Sequence, residues 1–230
     1  MARGYGKRPS RWSALDVLRV GLTGGIACGK TAVGEMFAAR GAHLIQADRI
    51  AHDLMQPGGT VYNQVVLHFG REILQPDGPI DRQKLAQAAF GDPSPTAGAS
   101  PASRIKELNR IVHPAVVAAQ EEWMADIGRR DPHGIAMVEA ALILEAGVAQ
   151  RFDKLVVVTC SREVRLQRFA QRLHLDMAAA RLEMERRMAA QMPDEEKARR
   201  ADYVIDNSGS LADAERQVDT IMRELRKAAG

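Results

Sequence analysis

The stretch from Gly21 to Thr31 reads GLTGGIACGKT, and nothing else in the chain narrows its possible folds so far. Gly24, Gly29, Lys30 and Thr31 fit the spacing G-x-x-x-x-G-K-[ST]. The apolar run Val17 to Leu22 before it predicts a strand. Val33, Met36 and Phe37 after it repeat at helical spacing. Gly41 then stands where a left-handed residue would end that helix. In the order strand, loop, helix, the glycines let successive backbone N–H groups turn inward on a polyphosphate, and the helix N-terminus adds its partial positive charge. Lys30 is expected to reach the outer phosphates, and the Thr31 hydroxyl to ligate Mg²⁺. The expected nucleotide-binding set here is Gly24, Gly25, Ala27, Cys28, Gly29, Lys30, Thr31 and Ala32. The competing reading is a glycine-rich turn with an exposed lysine, which has no need of the strand and helix on either side.

A chain of 230 residues suits one α/β domain carrying an insertion. Five apolar segments predict strands: Val17 to Thr23, His43 to Ala47, Gly134 to Glu139, Lys154 to Thr159 and Tyr203 to Asp206. Helical patterns separate them, so the expected fold is α/β, a five-stranded parallel sheet with helices on both faces and its ligands beyond the strands' carboxyl ends. The expected core covers residues 17–48 and 134–227. The interval 49–130 is too long for a plain crossover and predicts a helical substrate subdomain, with a helix over Asp81 to Phe90 and another opening at Pro114. Residues 162–200 predict an α-helical lid. The proline-, glycine- and serine-rich stretch Gly91 to Ser103 predicts a mobile surface loop.

Charge separates the ends of the chain from its body. Residues 1–16 carry Arg3, Lys7, Arg8 and Arg11 against Asp16, which leaves 28 basic and 28 acidic residues in the remainder. The net charge of +3 therefore belongs to a basic N-terminal extension, expected to be disordered, and no nucleic-acid partner is expected of the neutral body. That extension lacks the apolar core of a secretory signal, and no run approaches the roughly eighteen apolar residues of a membrane span, so a cytoplasmic protein with no membrane partner is expected. The two cysteines, Cys28 and Cys160, lie too far apart in sequence to suggest a zinc site or a disulfide framework. Cys28 reads as a redox-sensitive thiol at a helix N-terminus, or simply as a small residue tolerated where the backbone does the binding.

Asp48, at the end of HLIQAD, has two readings: the N-cap of a helix over Arg49 to Met55, or a carboxylate that accepts the proton of an attacking hydroxyl. Arg162, Arg165, Arg168 and Arg172 follow strand four, with Ser161 as an expected N-cap. Their spacing describes a solvated basic face, or a lid whose guanidinium groups close over ATP.

An ordered set of motifs carries a resemblance covering about residues 17–208. GLTGGIACGKT is followed by IQAD at Ile45 to Asp48, FG at Phe69 and Gly70, and DGPIDRQKL from Asp77. LNRIVHP from Leu108, LILEAG from Leu142 and ADYVIDNSG from Ala201 complete it. Together they resemble the dephospho-coenzyme A kinase family. The resemblance implies transfer of the ATP γ-phosphate to the ribose 3′-hydroxyl of dephospho-CoA, with ATP and Mg²⁺ required and Asp48 matching the family's proposed base beside Lys30. It points to Arg168 and Arg172 as the lid residues on ATP, and to Asn207 near the adenine, where a plain Asx-turn would look the same. Arg82 and His113 are its substrate-contact candidates, against a surface ion pair and an ordinary packed histidine. The sequence departs from the family pattern where Gln46 replaces an acidic residue, where Ala141 replaces a proline, and at Cys28, usually serine or glycine. Small-molecule substrates and a monomer are expected. Other nucleoside or nucleotide monophosphate kinases share the chemistry. A GTPase-like switch would need an NKxD motif after DNSG at Asp206, and none follows.

Overall fold

A computed structural model of the chain describes residues 17–90 and 104–230. The basic extension 1–16 and the loop Gly91 to Ser103 lie outside the described residues. Five strands form one sheet: β1 Leu18–Gly24, β2 His43–Gln46, β3 Ile135–Glu139, β4 Lys154–Thr159 and β5 Tyr203–Asp206. Their order is β2-β3-β1-β4-β5 and every pairing is parallel, as expected. Alternation along the strands divides the core. Leu18, Val20 and Leu22 join Met137, Val156, Val158 and Ile205 under helices α1 (Lys30–Ala39) and α9 (Leu211–Ala229) on one face. Val17, Ala136, Val138, Leu155 and Val157 face Met124, Ile127 and Phe152 on the other. Phe37 of α1 is fully buried, which is worth about 1.5–3 kcal/mol over exposure. Gly41, with φ +96°, ends α1 as its sequence position predicts, its N–H donating to the Ala38 carbonyl.

Between β2 and β3 the chain builds a separate helical layer from α2 (Ala47–Leu54), α3 (Thr60–Phe69), α4 (Arg82–Phe90) and α5 (Ile105–Arg130). Asp81 caps α4, its Oδ1 accepting from the N–H groups of Gln83 and Lys84. Two expectations need correction. The helix predicted to open at Pro114 begins at Ile105 and runs through the proline. Leu108, Ile111, Val112, Ala115 and Val116 keep their helical spacing across it and pack on Ile50, Val61 and Val65, and this burial outweighs the roughly 3 kcal/mol that an interior proline costs. In addition, β2 stops at Gln46 and α2 starts at Ala47, so Asp48 sits inside the first turn and is not the cap.

After β4, α6 (Arg162–Leu173), α7 (Met177–Ala189) and the short α8 (Asp194–Arg199) fold over the sheet's carboxyl edge. Ser161 caps α6 as expected, accepting from the Val164 N–H. Leu166, Phe169, Ala170, Ala180 and Met184 form a small core that Ile26 and Ala27 of the glycine-rich loop also touch. Among the described residues, no helix is long and apolar enough to cross a membrane.

Candidate active site

The loop after β1 is held open by backbone geometry that few residues accept. Gly24 has φ +153°, and a Cβ there would lie 2.1 Å from the Val158 carbonyl oxygen. Gly29 has φ +84°, and a Cβ there would lie 2.3 Å from Asn207 Nδ2. Ala27 adopts a positive φ of 55° despite its side chain, strain of the kind found at ligand cradles. The loop therefore delivers its backbone N–H groups to the N-terminus of α1, where Thr31 and Ala32 are exposed. Lys30 is half-buried and folds back to donate to the carbonyls of Gly24 and Gly25, both at 3.2 Å. Burial pulls its pKa below the ordinary lysine value, against the opposing charges of Glu139 and Asp48 nearby.

Asn207, expected near the adenine or in a plain Asx-turn, lies against the glycine-rich loop at Gly29. It is buried, and Nδ2 donates to the Cys28 carbonyl at 2.8 Å, bracing the loop from behind. Arg168 comes from α6 to the same place: its Nη1 would be 3.6 Å from a Cβ on Gly29, and this nitrogen is buried with no hydrogen-bond partner among the described residues. A buried donor left without an acceptor beside an anion cradle can accommodate an anionic oxygen. Arg172 is exposed, with its guanidinium 5.8 Å from the centre of the Phe169 ring. Arg162 pairs with Glu185, and the buried Arg165 pairs with Asp194 of α8 beside Gly25, so the four arginines do not share one solvated face.

Asp48 is exposed at the carboxyl end of β2 and lines an apolar cavity of about 370 Å³ between α2, α5 and the segment after β3. His113, exposed on the middle of α5, lines the same cavity, with Asn109, Gln120 and Arg151 as further polar groups. Arg82 lines a neighbouring groove with His52, Gln56 and Gln75; the two depressions share Met55.

Glu139 was not singled out from the sequence. It ends β3, is buried, and accepts from the Thr31 hydroxyl at 2.8 Å through Oε1 and from the Gln46 amide at 3.1 Å through Oε2. The signal lay in its position at a strand's carboxyl end, but only the adjacency of β3 to β1 and β2 turns that into a contact with the loop threonine. Gln46 thus stands against a carboxylate as a donor, where the acidic residue usual in the resembling family would set two negative charges side by side.

The cysteines, distant in sequence, meet in space. Despite a separation of 132 positions in sequence, the sulfurs of Cys28 and Cys160 lie 3.4 Å apart, because β1 and β4 are neighbours in the sheet. Contact with Cys160 and burial push the Cys28 thiol well above the ordinary range, and its side chain faces away from the cradle toward Cys160 and Asp194. Contact with Cys28 and the charges of Arg165 and Arg168 bring Cys160 down to about 7.

Comparison with known proteins agrees with this geometry. Residues 18–213 match the family model described as Dephospho-CoA kinase. The chain is 37% identical over 209 residues to the dephospho-CoA kinase of Aquifex aeolicus, covering 91% of this chain and 98% of that one. It is 40% identical over 202 residues to that of Geobacter sulfurreducens, covering 88% and 95%. The solved dephospho-CoA kinase from Campylobacter jejuni superposes with a TM-score of 0.63 at 26% identity, covering 91% of this chain and 98% of its own.

Proposed function

The chain belongs to the dephospho-CoA kinase family, and from that premise we propose how its residues carry out the reaction. The enzyme transfers the γ-phosphoryl group of ATP to the 3′-hydroxyl of dephospho-CoA, the last step of coenzyme A synthesis; the family match sets aside the other kinase readings and the switch. ATP lies with its phosphates on the backbone of Gly25 to Ala32. Lys30 exchanges the two loop carbonyls for phosphate oxygens, and Arg168 gives its unpartnered Nη1 to them. Arg172 adds charge from the rim of the lid.

The Thr31 hydroxyl and the Glu139 carboxylate are hard oxygen donors already in contact, which suits Mg²⁺, a cation that keeps most of its remaining positions for water and phosphate. Thr31 and Glu139 would hold the ion, which would supply neutralisation of charge on the transferring phosphoryl group. Gln46 holds Glu139 Oε2 and so fixes the carboxylate's orientation.

Dephospho-CoA occupies the 370 Å³ cavity, with His113 on its wall, and Arg82 contacts the part of the coenzyme that extends along the neighbouring groove. Asp48 takes the proton from the 3′-hydroxyl as the oxygen attacks phosphorus. One observation carries this reading: a single exposed carboxylate, Asp48, lines the acceptor cavity and also acts on the charge of Lys30 in the phosphate loop.

Asp48→Asn tests it. General-base catalysis is worth about a hundred- to ten-thousand-fold, so kcat with saturating dephospho-CoA should fall within that range while ATP affinity and melting temperature hold. Since Asp48 is not a cap, Asp48→Ala should fall as far in rate and lose only the modest benefit of an acidic side chain in a helix's first turn. Wild-type turnover by Asp48→Asn would remove the base assignment.

A further inference from the structure

Cys28 sits in the phosphate loop and Cys160 follows directly after β4, one residue before the cap of α6. Neither side chain has a part in the transfer proposed above, yet their sulfurs are in contact at 3.4 Å, and the chain contains no other cysteine. The two differ in access. Cys28 is fully buried, while Cys160 is partly exposed and lies beside Arg165 and Arg168 at the N-terminal end of α6, where cationic and dipolar surroundings favour a thiolate. A reachable, activated sulfur touching a buried partner is an arrangement of an attacking and a resolving cysteine.

We propose that Cys28 and Cys160 are a reversible oxidative modification site, at which a peroxide converts the pair to a disulfide that disables the ATP cradle. The Cys160 thiolate attacks one oxygen of hydrogen peroxide; the O–O bond breaks, hydroxide leaves, and Cys160 becomes a sulfenic acid. The Cys28 sulfur then attacks that sulfur, and its proton departs with the sulfenic hydroxyl as water. Two thiol sulfurs lose two electrons, and the peroxide gains them.

The consequence for ATP follows from where Cys28 is tethered. A disulfide requires the sulfurs to close by roughly 1.4 Å, to about 2.05 Å. Cys160 is set by the sheet and the capped start of α6, so the movement falls largely on the loop, whose Cys28 carbonyl is held by Asn207. Displacements of about an ångström in a binding cradle cost on the order of a hundredfold. This second half of the inference rests on the phosphate-loop reading above; disulfide formation itself does not.

The test treats the reduced full-length enzyme with hydrogen peroxide and follows intact mass, thiol titre in denaturant, the peptide map and ATP kinetics. The expected result is a mass loss of two hydrogens, disappearance of both thiols together and a peptide joining Cys28 to Cys160. KM for ATP should rise by on the order of tenfold to a hundredfold and recover with a reducing dithiol. Saturating ATP should slow the oxidation, since phosphates hold the loop in place. Cys160→Ser should keep the basal activity and keep its KM through peroxide. Cys28→Ser should leave Cys160 as a sulfenic acid that dimedone captures. Persisting thiols, a Cys160 sulfinic acid with Cys28 untouched, a disulfide without kinetic effect, or equal inactivation of Cys160→Ser would each overturn the proposal. Failure of the phosphate-loop reading would appear separately, as wild-type turnover by reduced Lys30→Ala.

Discussion

Lys197→Met should destabilise this protein more than its place on a six-residue helix at the domain's edge would imply. Lys197 is fully buried, its ammonium 2.8 Å from Glu145 Oε1 and 3.4 Å from the Ala141 carbonyl. Glu145 Oε1 also accepts from the Met192 N–H at 3.0 Å, while its Oε2 is buried with no partner among the described residues. Methionine matches the lysine stem but leaves the carboxylate uncompensated, an event that costs about 3–5 kcal/mol in buried pairs. The side chain of Glu145 is 19% exposed, which favours the lower end, about 3 kcal/mol. For a domain of this size, that is a fall of roughly 6–12 °C in melting temperature. Calorimetry on the single variants and on Lys197→Met/Glu145→Met would measure it. The double variant removes both charges and should recover most of the loss, since apolar replacement of a whole buried pair is often neutral. The same helix carries Asp194, which pairs with Arg165 against Gly25, so Lys197→Met should also raise KM for ATP more than it lowers kcat. A melting temperature within about 2 °C of wild type would refute the reasoning, because it would mean that water reaches the pair or that Glu145 finds another partner.

Other perturbations separate the remaining roles. Arg168→Ala should lower kcat/KM for ATP by on the order of a hundredfold or more with little change in melting temperature, because its Nη1 has no partner among the described residues to lose; Arg172→Ala, exposed and resting near Phe169, should cost less than tenfold, and equal losses would undo the distinction. Glu139→Gln should raise the Mg²⁺ concentration for half-maximal activity by roughly tenfold to a hundredfold while leaving Km for dephospho-CoA unchanged; an unchanged Mg²⁺ titration would remove Glu139 from the metal site. The rate of Cys160 alkylation by iodoacetamide should rise with pH about a midpoint near 7, since contact with Cys28 and the charges of Arg165 and Arg168 stabilise the thiolate, against about 8.5 for a free cysteine. A midpoint at the free value would show that those groups do not act on it.

What could be read from the sequence was local. The strand, the glycine-rich turn and the following helix are set by neighbours in the chain: the apolar run of β1, the spacing Gly24 to Lys30, and Gly41 with its left-handed backbone. All five strands fall within a residue of their expected bounds, because short apolar runs between helices have few other uses. The place of Asp48 at a strand's carboxyl end was legible because it is a property of consecutive residues, whereas Arg168 was singled out only by the family resemblance. Sequence proximity alone misled at Pro114, where a local rule against interior proline gave way to burial on both sides of it. It misled again at Asp48, whose capping role was displaced by a helix that starts one residue earlier.

The rest was decided by which strands lie side by side. Parallel order β2-β3-β1-β4-β5 places Glu139 against Thr31 and Gln46, Cys160 against Cys28, and Asn207 beneath the loop, across separations of 93 to 179 residues. No periodicity encodes such contacts. Hydrogen bonds and charges act over a few ångströms of space, whereas sequence patterns record only a side chain's preference for core or solvent. The chain therefore announced a glycine-rich loop and Asp48 at a strand's end, while the sheet brought Glu139, Asn207 and Cys160 against that loop.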